Sequence, residues 1–67
     1  MNYAKIKTSD RLRRVLKVLK DRKLHSTRDL IRDAHVCAVN SIVSELRMNG
    51  QRIICKRIGH VWFYGLV

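Results

Sequence analysis

Asn40, Ser41 and Ser44 stand close together in the stretch AVNSIVSELRMNG, residues 38–50. An amide and two hydroxyls each donate and accept hydrogen bonds and none carries a charge, so the chemistry on offer is recognition of a polar edge, not bond making. Ala38 and Met48 flank them with apolar groups that suit close approach. Around this stretch Arg28, Arg32 and Arg47 on one side, and Lys56, Arg57 and His60 on the other, supply groups that hold anions.

Other chemistries find little material. Five Asp and Glu and three Gly are scattered along the 67 residues, from which no paired carboxylates, nucleophile triad or phosphate-cradling loop can be assembled, and no enzymatic activity is expected. Cys37, Cys55, His25, His35 and His60 add up to enough metal ligands. They lack the close pairing of structural zinc sites, so buried cysteines, exposed histidines, no metal and no cofactor are expected.

The charge balance points to a partner. Fifteen Lys and Arg against five acids give a formal net charge of +10, and a small domain so basic calls first for a polyanion. The opening MNYAKIKTSD has no apolar run and two cysteines stand far apart, which sets the expectation of a cytoplasmic protein, at a bacterial or host nucleoid. A chain of this size buries only ~60% of the surface it exposes when unfolded, so one small core is expected.

Three elements must position the polar stretch. Residues 1–8, with Lys5 and Lys7, read as a flexible basic N-terminal arm, and residues 9–67 as the domain. Ser9 can cap a helix running from Asp10 to about Arg22, with Leu12, Val15, Leu16 and Leu19 as its apolar stripe. Ser26 with Asp29 three residues on is a capping-box pattern that opens a second helix over 27–34. Leu30, Ile31 and Ala34 are expected to face the core there, and Val36 to close the turn. In a third helix, 38–48, Val39, Ile42, Val43 and Leu46 make the buried stripe and leave Cys37, Ser41, Ser44 and Met48 outside. Gly50 supplies the left-handed stop.

Beyond Gly50 the β-branched and aromatic runs RIICKR and VWFYGLV, joined through Ile58-Gly59-His60, read as a hairpin. Trp62, Tyr64 and Leu66 share one face of the second strand. Tyr64 and Leu66 are expected in the core, and Trp62 as a core residue with its N–H satisfied. The outward use of Val61 and Phe63 is open.

Helix, helix, helix and terminal hairpin is an α+β, mainly α layout, and from Arg14 to Leu66 the chain resembles a short bacteriophage and bacterial variant of the winged helix-turn-helix domain. Thr27, Leu30, Val39, Val43, Leu46, Arg47, Gly50, Ile53, Tyr64 and Leu66 stand where that motif has them. The span from Leu30 to Val39 is shorter than the commoner spacing, and His35 stands near the usual turn glycine. No Arg or Lys lies on the outer face from Ala38 to Glu45, as family members often have.

The resemblance implies a third helix in the major groove of double-stranded DNA and a wing on the backbone, in a small transcriptional regulator. On that reading Asn40, Ser41 and Ser44 meet base edges, and Ala38 or Met48 a thymine methyl. Arg28, Arg32 and Arg47 hold phosphates beside the groove, with Lys56, Arg57 and His60 at the wing. A homodimer through the wing or first helix would fit a palindromic site. The alternatives are a protein-binding winged-helix module, such as a phage-encoded inhibitor or adaptor anchored by Phe63, Val61 or Ile53, and an architectural recombination factor.

Overall fold

A computed structural model describes residues 4–67; the first three residues of the expected basic arm lie outside the described residues. The order is α1 (Asp10–Leu19), β1 (His25–Ser26), α2 (Thr27–Ala34), α3 (Val39–Met48), β2 (Ile53–Ile58) and β3 (Val61–Leu66). Three helices and an antiparallel sheet of order β1-β3-β2 make an α+β, mainly helical domain in the winged-helix layout.

Local chemistry sets the helix ends. Ser9 Oγ accepts from the Leu12 N–H at 3.4 Å, and Asp10 in the first turn faces the positive end of the helix dipole. The helix ends at Leu19, short of the expected Arg22, because Arg22 takes a left-handed conformation, φ 62, that a right-handed helix cannot continue. Ser26 and Asp29 close a reciprocal capping box at the head of α2. At its tail His35 is left-handed, φ 54, filling without a glycine the role a glycine usually has there. Arg14 of α1 then donates to the carbonyls of Ala34 at 2.8 Å and His35 at 3.4 Å, satisfying oxygens the end of α2 leaves unpaired.

Gly50, φ 88, ends α3 as a Schellman motif, in which the Gly50 N–H donates to Arg47 O and the Gln51 N–H to Leu46 O. The hairpin turn has Gly59, φ 63, at the first of two loop positions, as a type II′ turn requires. Its register sets Ile53 opposite Leu66, Cys55 opposite Tyr64 and Arg57 opposite Trp62.

The core is continuous across every helix. Leu12, Val15 and Leu19 meet Leu30 and Ala34, then Val39, Ile42, Val43 and Leu46, with Val36, Ile53 and Tyr64 closing it. Each fully buried aliphatic side chain stabilises by ~1.5–3 kcal/mol relative to exposure, which is what a sheet of this size lacks by itself.

Four expectations about burial are corrected. Cys37 and Cys55, expected to be buried, are both exposed. Ile31 is 42% exposed, since Leu30 and Ala34 define the buried line of α2 and Ile31 lies a third of a turn away from Leu30. Trp62 is 45% exposed: it shares a sheet face with Tyr64 but sits nearer the hairpin tip, where that face has left the helices. Ile53 is buried, so it offers no outward anchor. The segment 4–8, expected as a flexible arm, is docked on α3. Glu45 Oε2 accepts from the Ala4 N–H at 2.7 Å, and Asn49 bonds both Ala4 O and the Ile6 N–H.

Candidate nucleic-acid interface

The outer face of α3 is polar and uncharged from Asn40 to Ser44. Ala38 caps the helix with its backbone alone, and Asn40, Ser41 and Ser44 are exposed because Val39, Ile42, Val43 and Leu46 hold the opposite face in the core. Neither serine hydroxyl has a hydrogen-bond partner among the described residues, so both are open to a ligand. Asn40 differs: its Oδ1 accepts from the buried Tyr64 hydroxyl at 2.8 Å.

Two clefts share a wall in Trp62, and the first of them opens on this face. One, of ≈ 430 Å³, lies between the start of α3, Thr27 and the Trp62–Tyr64 edge of β3. The other, of ≈ 550 Å³, lies between Arg28 and Ile31 of α2 and His60, Val61 and Trp62 of the wing. The Thr27 hydroxyl spans to the Trp62 carbonyl at 3.5 Å, tying the head of α2 to the root of the wing.

The cations divide into engaged and open ones. Arg32 lies 2.8 Å from Asp33 and 3.3 Å from Asp29; the Asp33 hydrogen bond, then the charges of both aspartates, raise its pKa, and Arg32 holds the Asp33 carboxyl below its ordinary range. Arg47 donates to Ile53 O through Nη2 at 2.7 Å and Nε at 3.2 Å, which pins the chain entering β2 to the end of α3. Arg57 folds back on Gly59 O at 2.9 Å. Arg28, Lys56 and His60 are exposed without such partners among the described residues.

The carboxylates are all paired. Asp10 pairs with Arg13, Asp21 with His25, Asp29 and Asp33 with Arg32, and Glu45 with Arg11. The His25 ring first and the Lys23 N–H second hold Asp21 below its usual range. Among the described residues no three His, Cys, Asp or Glu side chains gather as metal ligands would, and no helix is long and apolar enough to cross a membrane.

Of the residues singled out in the sequence, Ala38, Asn40 and Ser41 share the first cleft, and Arg28 and His60 the second. Ser44 continues the face; Arg47 and Met48 lie at the far end of α3. Lys56 and Arg57 point to opposite faces of β2, with Lys56 across from Phe63 and Arg57 across from Trp62. Sequence reasoning missed the wall formed by Trp62, the Tyr64 hydroxyl and the role of Arg14. Only strand alternation hinted at the first two, by putting both aromatics on one face. Comparison with family models, curated proteins and solved structures found no match to the chain.

Proposed function

We propose that this chain is a sequence-specific duplex DNA-binding protein, a small regulator of the phage or bacterial kind, with α3 in the major groove and the wing along the backbone. The observation that carries the reading is the outer face of α3: small, uncharged hydrogen-bonding side chains with Arg28, Arg57 and His60 around them, in a +10 chain whose five carboxylates are each paired with a basic side chain. Amides and hydroxyls sort base edges, and cations neutralise phosphates. The test is binding to random duplex and to heparin over a salt series. A steep loss of affinity with salt supports the reading, and salt-independent failure to bind either polyanion rejects it.

A second reading, a protein-binding module or wing-mediated homodimer, has its own observation. The outer sheet face exposes Ile54, Ile58 and Val61 at 49%, 52% and 45%, with Phe63 between them in register. Such a patch is what a protein contact would cover. Concentration-dependent mass in solution separates the dimer from the monomer.

A further inference from the structure

Asn40 is the one base-reading candidate on α3 whose orientation the fold fixes. Tyr64 is 3% exposed, so its ring cannot swing away without opening the core, and its hydroxyl donates to Asn40 Oδ1 at 2.8 Å. A buried phenol needs a partner, and a carbonyl oxygen supplies one. The amide oxygen is therefore turned to the wing, which leaves the amide N–H₂ as the group that Asn40 offers along the exposed helix face. No group among the described residues accepts from that N–H₂.

A free asparagine reads adenine by using both ends of its amide, accepting from N6 and donating to N7. Turning the amide over to suit adenine or cytosine would point its oxygen outward and set the N–H₂ against the Tyr64 oxygen, leaving the Tyr64 O–H with no acceptor among the described residues. An amide held as a donor suits an edge with acceptors side by side. In the major groove only guanine, with N7 and O6, presents two on one base.

Resting on the DNA reading above, we infer that Tyr64 is a positioning residue that fixes Asn40 as a donor, so that the base Asn40 meets is guanine. The specificity of this chain at that position is then set from the core of the domain through a hydroxyl that never touches DNA. Tyr64→Phe keeps the ring and its packing and removes only the tether.

The experiment selects sites from randomised duplexes with the wild type, then compares Tyr64→Phe, Asn40→Ala and the double variant on that site and on its guanine-to-adenine change. The wild type is expected to prefer guanine at one position by about tenfold. Tyr64→Phe brings that ratio close to unity with random-duplex affinity unchanged, and has no further effect once Asn40 is alanine. A merely structural role would instead weaken every sequence alike and act in both backgrounds. Because Tyr64→Phe could loosen the core, the wild type is also titrated with the site carrying 7-deazaguanine, which lacks N7; about tenfold weaker binding supports the inference. Retention of the guanine preference by a folded Tyr64→Phe, a base other than guanine at the position Asn40→Ala relaxes, or full affinity for the 7-deaza site overturns the inference and leaves the DNA reading standing. If the wild type selects no site, the DNA reading itself fails.

Discussion

Glu45 Oε2 accepts a hydrogen bond from the backbone N–H of Ala4 at 2.7 Å, so a carboxylate on the third helix holds the first described residue of the chain. Its other oxygen takes Arg11 Nη2 at 2.9 Å. One side chain thus joins the N-terminal segment, α1 and α3.

The Ala4 N–H first and Arg11 second hold Glu45 below the ordinary glutamate range. A carboxyl with a depressed folded pKa contributes stability that is present above its unfolded value, about 4.3, and is lost as pH falls through the folded value. Melts from pH 7 downward are therefore expected to converge for wild type and Glu45→Gln as the acid limit is approached, with the wild type more stable at neutral pH. A gap between the two that stays constant down to pH 2 would show that the carboxylate charge has no part in docking the segment.

Leu46 is fully buried in the last turn of α3, and its truncation leaves a cavity in the core. Leu46→Ala is expected to destabilise by ~2–5 kcal/mol. Urea denaturation reads this directly; a cost under ~1 kcal/mol would mean that the core collapses onto the gap.

His35 carries a left-handed backbone, φ 54, which costs an L-residue roughly 1–2 kcal/mol, against roughly 0.5–1 kcal/mol for the extra freedom glycine has when unfolded. His35→Gly is expected to stabilise the fold by about 0.5–1 kcal/mol, while His35→Ala, equally strained, brings no gain. The bonds from Arg14 reach backbone oxygens there and survive both changes. Equal stability of the glycine and alanine variants in chemical denaturation would place the strain elsewhere.

What the sequence revealed was mostly local. Ser9, the Ser26–Asp29 box, Gly50 and Gly59 each act within a few residues, and the whole of α2 was bounded by its caps. The apolar stripe of α3 was legible because four residues repeat the same period. What escaped depended on distant partners. The two residues of β1 are a strand only because Tyr64 and Phe63 lie beside His25 and Ser26. Alternation along β3 told which face Trp62 takes but not how far that face extends past the helices. Nor could spacing foresee that Arg47 would turn onto Ile53 O, or that Tyr64 would reach across 24 positions of sequence to Asn40.

The division of labour between helix and wing gives the last prediction. Asn40→Ala and Ser44→Ala are expected to lower preference for the selected site, by ~1–3 kcal/mol where the asparagine contact is good, with little change on random duplex. Cations feel mainly the phosphate line, so Arg28→Ala and Arg57→Ala should weaken all sequences about equally and make the salt slope shallower by ~0.9 for each phosphate that is no longer neutralised. Lys56 tests the geometry within the wing. It lies opposite Phe63 on the outer sheet face, whereas Arg57 lies opposite Trp62 on the side of the clefts. If α3 enters the groove, Lys56→Ala is expected to flatten the slope less than Arg57→Ala does. Affinities for the selected site and for random duplex at several salt concentrations measure all of these together. Disappearance of sequence preference on changing Lys56 or Arg57, with Asn40→Ala and Ser44→Ala neutral, would make the wing the reader and the helix its support. A larger slope change from Lys56 than from Arg57 would turn the outer sheet face, with Ile54 and Ile58, toward the DNA.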